Sequence, residues 1–363
     1  MTQAIAACAV CPRCRTPLDG AIGCGPCGQS YPHLNSIRVL LPDAAAHVEH
    51  WRMQLGLIIQ HAGETNHALQ LQAAEPGIGG ATRTRLQTLA RAIAEQVADV
   101  AAALVPAIGD PRPPREDVGL PRGAGDYISC LFRDWGWSNG HDDENDRSLA
   151  AIRRIAGEQK LGRMLVLGAG GCRLAYDLHV HCGATETAVV DIDPFLLVIA
   201  EAVIRGATVS LTETSVNAPE VDPVSRAWTL SAPSGPLGPE AFHFFLADGT
   251  EPPFAEQTFD TVVTPWFIDQ VPTDLEALLR RVHGLLVPGG RWINHGPLIY
   301  RPDALPIARW YSRQEIFELA GAVGFRMGAW ESAPQQHLLS PLTGRGLIEN
   351  VLTFEARREP SRA

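Results

Sequence analysis

The spacing of apolar residues changes character along the chain. From Ala81 to Ile108, the residues Leu86, Leu89, Ile93, Val97, Val100 and Leu104 recur at three- and four-residue steps, the period of one buried helix face. Residues 43–158 read as a helical region or lid, with shorter helices over Asp126–Arg133 and Asp142–Gly157. A linker at Gly109–Gly125 carries Pro111, Pro113, Pro114 and Pro121. From Leu161 the period shortens. Strand-type runs at Arg163–Leu167, Thr187–Val190, Phe242–Leu246, Phe259–Val263 and Arg291–Asn294 alternate with helical stretches at Arg173–His181, Pro194–Ile204 and Thr273–Leu286. That alternation predicts an α/β fold, a mostly parallel sheet with helices on both faces. The polar, proline-rich stretch Gly206–Glu240 breaks the rhythm and reads as an insertion. The chain thus divides into a Cys/Pro/Gly-rich segment (1–42), the helical region (43–158) and the α/β region (159–363).

Composition narrows the class. Of 363 residues, 45% are hydrophobic and 19% charged, a balance that suits a folded core and excludes disorder. No apolar run reaches the ~18–20 residues of a membrane helix, and Met1–Val10 lacks the layout of a secretory leader. A cytoplasmic protein is the expectation. The formal net charge of −10 argues against a broad nucleic-acid surface.

Five of the eight cysteines fall within the first 27 residues. Cys11-Pro-Arg-Cys14 and Cys24-Gly-Pro-Cys27 form two CxxC knuckles, and two such knuckles build a closed tetrahedral thiolate site suited to structural Zn²⁺. A 42-residue segment buries too little core to fold unaided, and a metal would remedy that. Cys8 stands outside the pattern.

The richest site signal is Met164-Leu-Val-Leu-Gly168-Ala-Gly170-Gly171-Cys172-Arg173, an apolar strand ending in a glycine turn that opens a helix. Asp191 ends the next strand, 21 residues beyond Gly170, where a carboxylate can accept from both ribose hydroxyls of a nucleoside. Asp193 is the alternative, or a cap for the following helix. Arg173 occupies the place of the third glycine that a dinucleotide site wants, which shifts the reading toward S-adenosylmethionine. Ala247-Asp248-Gly249, followed by Pro253-Phe254 and Phe259-Asp260, supplies an acidic residue for the adenine amino group.

Two resemblances add to this reading. From Cys11 to Pro42 the chain is similar to the small zinc-ribbon proteins that bind and activate tRNA, rRNA and protein methyltransferases, through the CxxC pairs, Tyr31-Pro32 and Leu40-Leu41-Pro42. Fused in cis, such a ribbon would cover an apolar patch of the larger domain. From about Tyr127 to Arg357 the chain resembles the carnosine N-methyltransferase family. The likeness rests on Phe132-Arg133-Asp134-Trp135, the glycine turn, Phe259 to Asp269, and Leu286 to Tyr300. It implies a Rossmann-like class I methyltransferase domain with a seven-stranded sheet and S-adenosylmethionine as cofactor. Arg133 would pair with the cofactor's carboxylate, and the reading from residues alone is an ion pair with Asp134 or Glu144. Gly168 and Gly170 would approach the cofactor, Asp191 hold its ribose and Asp248 face its adenine. Thr264 and Pro265 would line the transfer channel, and Asp269 would hold the acceptor.

Departures bear on the acceptor. Ala277 stands where the family has an aromatic residue, Arg301 replaces a histidine, and Ser340–Val351 lacks the family's tyrosine-rich stretch. Arg301 and His295 suggest an acceptor with an acidic group. The reading is an enzyme, with in-line N-methylation of a small molecule or peptide and Asp269 orienting the acceptor or taking its proton. Two alternatives stand beside it: a zinc-ribbon rRNA or tRNA methyltransferase, and a non-catalytic cofactor-binding regulatory partner.

Overall fold

The computed structural model describes residues 4–18, 22–115, 117–118, 126–137, 143–217, 224–302 and 305–359. Asp142, and residues 116 and 119–125 of the Gly109–Gly125 linker, lie outside those residues. The N-terminal segment closes with β1 (His33–Leu34) and β2 (Ile37–Leu40). A helical hairpin follows, α1 (Ala44–Ala74) and α2 (Gly80–Ile108), then α3 (Asp126–Leu131) and α4 (Glu144–Ala156). The α/β region runs β3 (Gly162–Leu167), α5 (Arg173–His181), β4 (Ala184–Asp191), α6 (Pro194–Ile204), β5 (Val209–Thr214), β6 (Ser225–Leu230), β7 (Phe242–Ala247) and β8 (Phe259–Pro265). It finishes with α7 (Leu275–Leu285), β9 (Leu286–Gly296), α8 (Arg313–Val323), β10 (Phe325–His337) and β11 (Leu347–Arg358).

Caps explain where helices start. Asp193 accepts from the N–H groups of Phe195 and Leu196 and precedes Pro194, a residue whose fixed φ suits the first turn. This is the capping role open to it from the sequence. Asp274 caps α7, and Ser312 with Glu315 forms a reciprocal capping box on α8.

Nine strands form one sheet in the order β1-β2-β7-β4-β3-β8-β9-β11-β10. Every pairing from β2 through β9 is parallel, and β11 and β10 close that end antiparallel. Seven of the strands make the expected sheet. The other two come from the N-terminal segment: β2 lies parallel along β7, with Arg38, Val39 and Leu40 facing Phe245, Leu246 and Ala247. The segment's last strand is therefore continuous with the large sheet, because an unpaired β7 edge would leave a row of backbone groups unsatisfied.

Alternation along each central strand feeds two cores. Met164 and Val166 point toward α4, α5, α6 and the base of the α1–α2 hairpin; Leu165 and Leu167 point toward α7, α8 and the N-terminal segment. The stretch Gly206–Glu240 is not simply irregular. It contains the antiparallel hairpin β5–β6, held against α2 by Gln96, whose amide donates to the Thr212 carbonyl, and by Thr212, whose hydroxyl donates to Asp99.

Candidate active site

The carboxyl ends of β3, β4, β7 and β8 converge on the glycine turn. Gly168 takes φ +70° and Gly170 φ +54°, values that side chains disfavour. A Cβ on Gly168 would lie 2.5 Å from the Phe267 ring, whereas one on Gly170 would enter open space. The Gly170 N–H donates to Asp191 Oδ2 at 2.7 Å, and the Asp193 N–H donates to Asp191 Oδ1 at 2.9 Å. Burial raises the Asp191 carboxyl's proton affinity, and these backbone donors oppose it. Beside it, Ile192 is exposed, an apolar surface at the edge of the same turn. Asp248, exposed at the end of β7, accepts from the N–H and hydroxyl of Thr250.

The turn is clamped from above by a π-helical segment, Phe132–Gly136. The Trp135 indole N–H donates to the Gly171 carbonyl at 2.7 Å, and Arg173 reaches from α5 to the Asp134 carbonyl at 2.7 Å while pairing with Asp177. The residue that replaces the third glycine thus ties the clamp to the helix. Arg133 pairs through Nε with Asp134 Oδ1 (2.7 Å) and through Nη1 with Glu144 Oε1 (3.1 Å), so both ion-pair partners named from sequence are engaged. Burial favours protonation of Glu144, but Arg133 and His337 outweigh it and hold this carboxyl below its usual range.

A second cluster lies at the ends of β8 and β9. Asp269 is 1% exposed. Its Oδ2 accepts from the Ile299 N–H (2.9 Å) and the Gln270 amide (3.0 Å), while Oδ1 is buried with no hydrogen-bond partner among the described residues. Burial pushes its carboxyl up to about 6. Tyr300 is buried nearby, stacked on Trp310. Arg301 follows it, half-buried. Trp266, at φ +43°, donates its indole N–H to Glu349 (2.9 Å), stacks on His337 and meets His295 edge-on.

The Thr264 hydroxyl donates to Asn294 Oδ1 (3.0 Å) and accepts from the Trp292 indole (2.8 Å), so its one proton is already engaged inside the sheet's core. Pro265, the next residue on β8, is buried at the strand's end. His295 is fully buried, and desolvation drives its pKa down to about 3. It is a neutral hydrogen-bonding group and not a positive partner for an acidic acceptor.

The carnosine N-methyltransferase family model matches residues 126–335, more than half of the chain. The chain belongs to the carnosine N-methyltransferase family. This family member is an S-adenosylmethionine-dependent methyltransferase. No curated protein matches it in sequence. Among solved structures it is similar to a Methanosarcina mazei SAM-dependent methyltransferase (13% identity, 56% of this chain and 94% of that one, TM-score 0.38). A chain from the complex of the Haloferax volcanii Trm112 methyltransferase activator with a methyltransferase also matches (14%, 65% and 95%, TM-score 0.42). So does Burkholderia thailandensis 1,6-didemethyltoxoflavin-N1-methyltransferase (19%, 60% and 78%, TM-score 0.36).

The open cradle over Gly170, the Asp191 carboxylate and the apolar Ile192 fit the charged nucleoside cofactor of this family. At the N-terminal end, the sulfurs of Cys11, Cys14, Cys24 and Cys27 lie within 4.8 Å of one another, and none is in a disulfide. Zn–S bonds of about 2.3 Å imply a tetrahedral edge of about 3.8 Å, and the Cys11–Cys27 (3.5 Å) and Cys14–Cys24 (3.4 Å) separations suit that geometry. The cluster is compatible with structural zinc. It packs Cys11, Leu18 and Tyr31 into the same core as Phe254, and Arg15 donates to the carbonyls of Pro252 and Phe254. Cys8 stays outside it, accepting from Arg163. No helix among the described residues is long and apolar enough to cross a membrane.

Sequence reasoning missed Trp266, Gln270, Glu349 and His337. Gln270 is the immediate neighbour of Asp269 in the chain, whereas His337 and Glu349 reach the site through the pairing of β10 with β11.

Proposed function

We propose that this enzyme N-methylates an imidazole- or amine-bearing small molecule or peptide at Asp269. The observation that supports this reading is the Asp269 carboxylate: one oxygen is pinned by Ile299 and Gln270, the other is buried and unsatisfied. An orphaned buried oxygen of this kind costs about 1–3 kcal/mol unless a ligand donor fills it. S-adenosylmethionine, when bound, supplies an electrophilic methyl group. Asp269 Oδ1 would accept the acceptor's N–H, turn its reacting lone pair toward the glycine turn, and stabilise the positive charge that develops or take the proton. Gly168 and Gly170 would let the cofactor approach, Asp191 and Ile192 would hold ribose and adenine, and Asp248 would face the adenine amino group. Among the described residues Arg133 is paired through Nε and Nη1, which leaves its Nη2 edge for the cofactor carboxylate. Pro265 would wall the channel through its ring.

Ala277 is exposed on the first turn of α7 and offers no aromatic wall, so carnosine itself is not the acceptor we favour. The test is calorimetry with S-adenosylmethionine, followed by methyl-transfer assays on imidazole dipeptides and amines. Asp269→Asn should retain cofactor affinity within about threefold and lose turnover by about 100-fold or more. Equal turnover of the two proteins would refute the assignment.

A further inference from the structure

After β9 the segment Pro297–Tyr300 returns to Asp269. The Ile299 N–H donates to Asp269 Oδ2 (2.9 Å) and the Gln270 amide donates to the Ile299 carbonyl (3.3 Å), so the backbone beside Tyr300 is anchored at two points. The Tyr300 ring stacks on Trp310 (centroids 6.3 Å apart, planes at 15°) and meets Tyr311 edge-on (6.5 Å), which fixes its direction. Tyr300 is 8% exposed and Asp269 1%. The Tyr300 hydroxyl and Asp269 Oδ1 are both buried with no hydrogen-bond partner among the described residues, so they are not bonded to each other either. Each of these atoms costs folding free energy for as long as no ligand meets it.

Burial raises the proton affinity of the Tyr300 hydroxyl above the ordinary tyrosine range; the Tyr311 backbone N–H opposes the rise, and the charges of Asp269 and Glu315 add to it. The group is therefore a neutral phenol at working pH, a donor in want of an acceptor. We propose that Tyr300 is a specificity-determining residue whose hydroxyl donates to an uncharged oxygen, carbonyl or hydroxyl, of the methyl acceptor whose N–H is held by Asp269 Oδ1. This deepens the reading above and rests on it. The reacting nitrogen is not the partner of Tyr300, because a lone pair that accepts the phenol proton is unavailable to the methyl group. A carboxylate is disfavoured there, because Asp269 and Glu315 already place negative charge at this hydroxyl. A site with a buried donor of this kind discriminates against an analogue that lacks the oxygen.

The test uses the full-length protein saturated with S-adenosylhomocysteine and two probe pairs, 4-methylimidazole with 4-(hydroxymethyl)imidazole, and butylamine with 3-aminopropanamide. The members of a pair match in size and charge and differ in the oxygen. In calorimetry, the oxygen-bearing member of at least one pair should bind about fivefold or more tightly than its partner. Tyr300→Phe keeps the ring stack and should erase that difference, leaving the oxygen-free member within about twofold, while Tyr311→Phe should change neither. Without ligand, Tyr300→Phe should unfold at the same or a higher urea concentration, because it deletes an unpaired hydroxyl. Equal affinities within both pairs, a difference that survives Tyr300→Phe, no binding of any probe, or a lower urea midpoint for Tyr300→Phe would overturn the proposal. Asp269→Asn should weaken both members of a pair alike. If it leaves all affinities unchanged while Tyr300→Phe still erases the difference, the Asp269 reading fails and the Tyr300 contact stands; the reverse pattern keeps that reading and removes this one.

Discussion

Replacing Asp269 by asparagine should make the protein more stable and less active. The carboxyl, 1% exposed, has its proton affinity raised by burial from the ordinary 3.8 to about 6. That roughly hundredfold difference means the ionised group costs about 3 kcal/mol of folding free energy at neutral pH. Asparagine keeps the shape and can still accept from the Ile299 N–H, but it gives up the charge on the Gln270 contact, which offsets about 1 kcal/mol. A net gain of about 1–2 kcal/mol is expected at pH 8. The direction with pH is fixed by the raised value. Well below the ordinary 3.8 the carboxyl is protonated in folded and unfolded chains alike and costs nothing; the penalty grows as pH rises from there toward 6 and is complete above it. Urea denaturation of both proteins without cofactor, at pH 8, 6 and 4.5, reads this directly, with the gap in midpoints narrowing toward the acid end. If Asp269→Asn is no more stable at pH 8, or its advantage is the same at every pH, the carboxylate is not desolvated in the way argued.

The same group should appear in kinetics: kcat/KM should rise with pH through about 6, and this limb should vanish from the residual activity of Asp269→Asn. Asp191→Asn should weaken S-adenosylmethionine binding by about 10- to 100-fold in calorimetry, because a charged acceptor worth about 1.5–3 kcal/mol is lost. Cys24→Ser should abolish stoichiometric zinc in elemental analysis and lower the melting temperature of the whole protein, since the Cys11–Cys27 cluster shares a core with Phe254. Retained zinc, or separate melting of the N-terminal segment, would contradict it.

Periodicity and spacing alone determined a good deal of this protein. Apolar runs buried on both faces defined the central strands, the step pattern from Leu86 to Leu104 defined α2, and two CxxC pairs defined the thiolate cluster, because each signal is local in the chain. The glycine turn and Asp191 were legible for the same reason: a strand, a turn and the next strand's end are tied by short connections. Tertiary structure decided the rest. The β1–β2 pair extends the sheet only because β7 presents an open edge about 200 residues away in sequence. The β5–β6 hairpin exists because α2 gives it something to pack on, and Trp228 of β6 ties it across to Glu213 of β5. Neither the fate of the Thr264 hydroxyl, taken by Asn294 and Trp292, nor the neutrality of His295 is written in residue type. Both follow from which face of a strand a side chain occupies and how much water that face retains, and those depend on strands far apart in the chain coming together.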